Sequence, residues 1–504
     1  VPVVSSEIVP DSSRTREWWY NSLDAAVTLE IHEVLAKSNA SRSVYDFERS
    51  LQGPALDMML RGFRIDQFQK EMTIGKVQHR LEKIEERLAR LSHAVWGKPL
   101  NPRSPTQLKE FFYNALSLPE IWTSKKGVRS LSTDREALEK LSQYYIAQPI
   151  VSCVLLARDA SKKLSVLRTG VDPDGRMRCT YNVCGTETGR WASSRNVFGR
   201  GSNLQNITEE LRRMFIADPG QLLVYLDGEQ AESRAVGFIH GRLFDDWTYL
   251  DACEAGDLHT IVCQLVWPNM GWTGNLKTDR EIAEQIFYRW FSYRDMAKRG
   301  GHGTNYYGTP PTMARHLKVP KGLIESFQQK YFAAFPMRRW HTWVAEQIST
   351  HSNLTTFLGR SRDFFGRPND DTTLREAIAY EPQSVVGDLV NEGGYRVWKK
   401  FPQAQVLGQH HDAYIFQIPE GEANTLIPAM QQTFQVPVTS NGRTLTIPAE
   451  AKIGWNWANS EMTVKPEKRK FRDGNPDGLV KWKGSLTRTR TEDPTASLLD
   501  RRFY

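Results

Sequence analysis

Two carboxylates and one helix hold the residue types best suited to chemistry. Asp227 closes the apolar run "QLLVYLD", a buried strand ending in an acid, and the chain then turns into a helix at "GEQAESRAVG". Asp412 lies in "GQHHDAYIF", where small apolar residues precede it and "YIFQI" alternates after it. That pattern reads as a strand, a tight turn with the acid at its tip, and a returning strand. A strand-terminal acid beside a hairpin acid sets two carboxylates at one sheet edge. Such a pair holds two Mg²⁺ ions roughly 4 Å apart for in-line phosphoryl transfer. Mg²⁺ needs only a few protein oxygens and takes the rest from phosphates and water. Taken singly, each Asp also reads as an ordinary turn residue at a strand end.

A third element changes that balance. In "YRDMAKRGGHGTNYYG", Arg294, Lys298, His302 and Tyr306 fall four apart and share one face of a helix. Two cations one turn apart, followed by an aromatic ring, suit a triphosphate with a base stacked beyond it. Arg294 and Lys298 would grip the phosphates, and Lys298 would protonate the leaving pyrophosphate. Gly300, Gly301 and Gly303 each cost about 1 kcal/mol in a helix interior. Their clustering beside the cations suggests a helix that bends or is approached closely by a ligand.

These three segments resemble motifs A, B and C of the family A DNA polymerases, the DNA polymerase I group and its phage relatives. Motif A, D-x-S-Q-x-E-x-R, is matched by Asp227, Gln230, Glu232 and Arg234; motif B, R-x3-K-x3-F-x3-Y-G, by Arg294, Lys298 and Tyr306; motif C, H-D-E, by His411 and Asp412. "TGRWASSRNVFGRGSNLQNI" resembles the family's primer–template segment and implies Arg190, Asn203, Gln205 and Asn206 as DNA contacts. "GDLHT" resembles the D-[IL]-H at the base of the fingers and implies His259. "REAIAYEPQSVVGD" implies Arg375 and Gln383 on the template or primer side. Five positions depart from the pattern. His302 replaces Phe or Tyr, as in a phage subgroup, and Tyr307 takes a Gly place. Ala379 replaces Asn, Glu229 replaces Ser, and Ala413 replaces the motif C Glu. None removes a metal-binding Asp.

The resemblance implies an α+β right-hand fold. Residues 71–160 would form the thumb, 161–244 the palm with motif A, 245–350 the fingers, and 351–464 the palm with motif C. Residues 46–70 form a palm-entry helix. "YNSLDAAVTLEIHEVL" is similar to the third motif of the family's 3′–5′ exonuclease, through Tyr20 and Asp24, so residues 1–45 would be the C-terminal remnant of that domain. No earlier D-x-E acids accompany it, so this chain alone is not expected to proofread. The implied activity is template-directed addition of dNTPs to a primer 3′-hydroxyl, with two Mg²⁺ ions (Mn²⁺ as a substitute) on Asp227 and Asp412. Gln230, Glu232, His259, His302 and Tyr306 would surround the dNTP, with Glu232 blocking a ribose 2′-oxygen. Arg234 and His411 would join the DNA contacts. The nearest alternative is a single-subunit RNA polymerase, which has Gly where Glu232 stands; another is a non-catalytic DNA-binding homologue.

The surrounding pattern fits those assignments. "EMTIGKVQHRLEKIEERLARL" spaces apolar residues three and four apart as a long wet helix, half of a helical hairpin. Ser104-Pro105 marks a helix start. From Lys465 the sequence reads as a mobile basic tail. The chain has 504 residues, so two to four lobes are expected. Net charge of +8 and fifteen Trp fit an anionic, base-bearing partner. No apolar run approaches the ~18–20 residues of a membrane span. Five Cys with no C-x-x-C pair argue for a reducing compartment and against a zinc ribbon. A monomer in a bacterial or phage-infected cytoplasm follows. A processivity factor or a separate exonuclease part are the partners to expect besides DNA. Val1 suggests a processed product or a fragment.

Overall fold

The computed structural model describes residues 13–37, 41–125, 128–196, 198–289, 291–461, 463–464, 469–470 and 474–491. The chain divides into two compact units. One comprises Gly53–Arg234, Ile286–Phe291 and the chain from Gly387 onward; the other comprises the chain up to Gln52, Ala235–Gln285 and Ser292–Val386.

The first unit is organised by a five-stranded antiparallel sheet. Its strands are β1 (Gln221–Gly228), β2 (Gln405–His410), β3 (Ala413–Pro419), β4 (Ala449–Gly454) and β5 (Val480–Lys481), in the order β2-β3-β1-β4-β5. Leu222, Leu223, Val224 and Leu226 are fully buried, as a near-continuous apolar run in a central strand requires. The alternation expected of "YIFQI" is not realised: every residue from Ala413 to Ile418 is buried, because both faces of β3 are covered. Gln417 tolerates this by donating to Asp218 Oδ2 (2.7 Å) and Gln405 Oε1 (2.7 Å). A long helix, Gln67–Trp96, starts where the Asp66 carboxylate accepts from Gln69 N (3.0 Å) and stops at Gly97, whose φ of +71° is left-handed. It packs along the Gln148–Leu167 helix, although several other elements separate the two in sequence. Ser104 caps the next helix with Pro105 in its first turn, as read from sequence.

The basic tail is corrected in part. Residues 474–491 pack on this unit: β5 pairs with β4, Asn456 and Asn475 exchange side-chain bonds of 2.9 Å, and Asp477 accepts from Thr491 N (2.8 Å). Arg488 donates to Gly478 O (3.0 Å) and lies over the Trp455 ring. Charge composition suggested a solvated extension, but Asn475, Asp477 and Leu479 are buried. Residues 465–468, 471–473 and 492–504 lie outside the described set.

The second unit is mainly helical around a core that includes Tyr249, Tyr331, Phe335 and Trp340. The Tyr293–Asn305 helix starts at a Ser292 cap (Asp295 N to Oγ, 3.0 Å). It ends in a buried triad. Asn305 Nδ2 donates to Tyr249 Oη (2.9 Å), while Tyr331 Oη donates to Asn305 Oδ1 (2.9 Å). Its glycines serve packing rather than bending. A Cβ on Gly300 would stand 2.8 Å from the Phe327 ring, and one on Gly303 2.8 Å from Met313 Cε. The N-terminal helix runs Ser13–Ala36 and leaves Tyr20 and Asp24 exposed. Among the described residues no helix is long and apolar enough to cross a membrane.

Candidate active site

The hairpin turn between β2 and β3 is His411–Asp412, with His411 at φ +55°. That conformation costs a Cβ-bearing residue about 1–2 kcal/mol, and several contacts hold it. Gln409 Nε2 donates to His411 O (2.5 Å), and Gln205 Nε2 donates to Gln409 Oε1 (2.5 Å). Gly228 N donates to Asp412 O (3.1 Å), tying the turn to the end of β1. His410 adds a second anchor. Arg212 can only donate, so its Nη2 contact (2.8 Å) makes His410 Nε2 the acceptor. Nδ1 then carries the proton and donates to Tyr225 Oη (3.1 Å). Burial and Arg212 lower the His410 pKa to about 3, so the ring stays neutral.

This framework brings the two acids to one end of the sheet. Asp227 stands opposite Ala413 across the β1–β3 ladder, one residue from Asp412. Burial raises the Asp412 pKa; Arg190 opposes that rise and Glu232 adds to it. Arg190 Nη2 lies 2.5 Å from Glu232 Oε1 and 3.4 Å from Asp412 Oδ1, bridging the two carboxylates. Among the described residues no group of three or more His, Cys, Asp or Glu is arranged to hold a metal. A carboxylate near the end of β1 and another in the adjoining turn, with a cation already drawn to the second, nevertheless fit Mg²⁺, which is satisfied by few protein oxygens.

The remaining expected contacts divide between exposed and buried. Asn206 and His411 are exposed, and Asn203 accepts from Ser193 Oγ (2.7 Å). Gln205 and Arg234, expected at a DNA surface, are buried at 8% and 7% exposure; Gln205 supports the hairpin instead. Gln230 sits at φ +54° in the turn after β1, and Arg234 N donates to its carbonyl (2.9 Å).

On the helical unit, Lys298 and His302 are exposed along the 293–305 helix. Tyr306 falls just past its end as the C-cap, its ring edge-on to His302 at 4.9 Å. Arg294 forms a fork with Asp257, Nε to Oδ2 at 2.7 Å and Nη2 to Oδ1 at 3.0 Å. Burial, then Arg294, lowers the His259 pKa to about 4. Arg375 is exposed on the Asp371–Lys400 helix and donates to Asp371 O (3.0 Å); Gln383 is half-buried beside Pro382. Sequence reading passed over Asp257, Arg212, Tyr225 and Gln409. Asp257 was legible as the acid of "GDLHT"; the others gain meaning only from partners distant in sequence.

A sheet with two acids at one end, and a separate helix of spaced cations, are the elements of a polymerase fold. The family model for DNA polymerase family A matches residues 70–459, and the chain belongs to that family. It is similar to the thermostable DNA polymerase I of Thermus filiformis, 28% identical over 435 residues, covering 81% of this chain and 47% of that protein. It is also similar to DNA polymerase I of Chloroflexus aurantiacus, 27% identical over 466 residues, covering 87% and 46%. The chain spans about half the length of these curated relatives. Among solved structures, the POL domain of Pol1 from M. smegmatis, in complex with DNA primer-template and dNTP, aligns with a TM-score of 0.64 and 23% identity. That alignment covers 81% of this chain and 69% of the other.

Proposed function

We propose that this chain is a template-directed DNA polymerase that adds dNTPs to a primer 3′-hydroxyl. The observation that supports it most is the acid pair at the sheet end, Asp227 and Asp412, with Glu232 held beside it by Arg190. Two Mg²⁺ ions on Asp227 and Asp412 would supply activation of the hydroxyl and neutralisation of the leaving pyrophosphate. The chain's own residues do the rest. Arg294, Lys298 and His259 take the phosphates, and Lys298 gives a proton to the pyrophosphate. Tyr306, with His302 against its edge, stacks near the nascent pair. Glu232 excludes a ribose 2′-oxygen. His411, Asn203, Asn206, Arg375 and Gln383 meet primer and template, while Gln205 and Arg234 act from behind the surface.

We assign thumb, palm and fingers to the ranges expected from sequence. The His302 pattern supports a phage-type member, and Tyr20 and Asp24 support an exonuclease remnant ahead of the polymerase region. We assign the protein to the cytoplasm as a monomer that acts with a processivity factor or a separate exonuclease. Primer extension with dNTPs, with rNTPs and with Asp412→Ala tests the reading. Wild type should extend with dNTPs, and Asp412→Ala should lose about 10²–10³-fold, the scale of transition-state charge stabilisation. A wild-type chain that extends no primer refutes it, and equal use of rNTPs removes the role given to Glu232.

A further inference from the structure

We propose that Asp257 is a positioning residue for phosphate recognition, holding the Arg294 guanidinium and the His259 backbone as one unit. This rests on the polymerase reading of the same site. The Asp257 carboxylate makes four contacts. Oδ1 accepts from Arg294 Nη2 (3.0 Å) and His259 N (3.2 Å); Oδ2 accepts from Arg294 Nε (2.7 Å) and Thr260 Oγ1 (2.9 Å). It therefore does two things at once. It caps the Leu258–Val266 helix, whose second residue is His259, and it grips the side chain of Arg294 on the 293–305 helix. The capping half is ordinary; the fork is not required by it, since Ser or Asn caps a helix as well.

The fork uses two of the five guanidinium donors and leaves three for another acceptor. Arg294 is a long, flexible side chain, and an Arg that must meet phosphate repeatedly in one pose gains from being fixed beforehand. His259 is fixed in the same step, because the cap sets the first turn of its helix. Its ring lies in the field of Arg294 and Lys298 as well as of Asp257 and stays neutral, so a triphosphate arriving there meets two cations and an imidazole donor already set in place. The anion also has an opposite effect. A carboxylate beside a phosphate site repels the ligand, so removing it would tighten binding if charge alone mattered. The sign of the change in KM therefore separates positioning from simple electrostatics.

The test uses the full chain with primer–template and the variants Asp257→Asn, Asp257→Ser, Arg294→Ala and Asp257→Asn/Arg294→Ala. Asn and Ser both keep a capping oxygen and remove the charge. The expected result is a KM for the incoming dNTP raised about tenfold in either variant, the scale of one charge-assisted hydrogen bond, with kcat changed by about twofold or less. Equilibrium dNTP binding to the complex with a dideoxy-terminated primer should shift by the same factor. In the Arg294→Ala background, Asp257→Asn should add nothing further. A KM that falls or stays level in both variants overturns the proposal, as do effects of Asp257→Asn and Arg294→Ala that simply multiply. Binding of inorganic tripolyphosphate to the free protein keeps the two readings apart. If the wild type extends no primer, the polymerase reading fails, yet about tenfold weaker tripolyphosphate binding in Asp257→Asn still upholds the positioning role, and unchanged binding ends it.

Discussion

Arg190 pairs with Asp412, and replacing it should make the nucleic-acid-free protein a better metal binder. Its guanidinium lies 2.5 Å from Glu232 and 3.4 Å from Asp412, with all three side chains between 21% and 28% exposed. Two unit charges 3.4 Å apart attract by about 5 kcal/mol at an effective dielectric near 20, which is a ceiling before solvent screening and side-chain entropy are counted. Partial exposure reduces the Asp412 contact to about 1–2 kcal/mol. A divalent ion that takes Asp412 must first displace that contact. Arg190→Gln should therefore bind Mn²⁺ about tenfold more tightly than wild type when no DNA is present. The assay is a titration of free Mn²⁺ by electron paramagnetic resonance, with Asp412→Ala in both backgrounds. Primer extension should fall in the same variant, because Arg190 is also an expected primer–template contact. Unchanged or weaker Mn²⁺ affinity would refute the argument, and so would a gain that survives Asp412→Ala.

Three further outcomes follow from the helical unit and the long helix. Burial raises the Glu381 pKa from an ordinary 4.5 to about 7, against the pull of Arg242 at 3.7 Å. The folded state thus holds this proton more tightly than the unfolded chain, and stability falls as pH rises from about 4.5 to about 7. The cost reaches about 3 kcal/mol above that window. Glu381→Gln removes the titration, so its Tm advantage over wild type should widen between pH 5 and pH 8; a gap that ignores pH would count against the assignment. Gly300→Ala should destabilise by about 1–2 kcal/mol despite a better helix former, because its Cβ would meet Phe327 at 2.8 Å. Gly75→Ala, with open space in the Gln67–Trp96 helix, should stabilise by about 0.5–1 kcal/mol. Denaturant melts of both decide it, and equal signs would undo the packing account of the glycines.

Local features were readable from the sequence because their causes are local. The run "LLVYL" needs no distant partner to read as a buried strand. Ser104-Pro105 starts its helix where its own chemistry says it should, and "HHD" makes its turn between β2 and β3. What escaped the reading depends on contacts across the chain. Gln205 meets Gln409 across 204 positions, and Arg212 meets His410 across 198. Nothing near Gln205 distinguishes a DNA contact from a support for a hairpin carbonyl. The glycines beside Lys298 break helix propensity in the same way whether a ligand or Phe327 approaches them. Only the packed helix partner decides between those causes.

The alanine at position 413 acquires a reason from the strand that the sequence disguised as a tail. Directly paired residues of antiparallel strands share a face, so Ala413, Asp227 and Glu450 form one row across β3, β1 and β4. A glutamate at 413, as the family pattern has it, would put acids on both sides of Asp227. Like charges set directly opposite are destabilising in a sheet. Ala413 is itself fully buried, so a carboxylate there would also carry a desolvation cost. Here the row already holds an acid on its other side, in Glu450, and Lys481 of β5 lies 3.2 Å from it. The cation from the C-terminal strand thus gives Glu450 a counter-charge of its own. Asp412 and Glu232, beside Asp227, share Arg190 as a counter-charge. The missing motif C acid and the packed C-terminal strand thus belong to one arrangement of charge around Asp227.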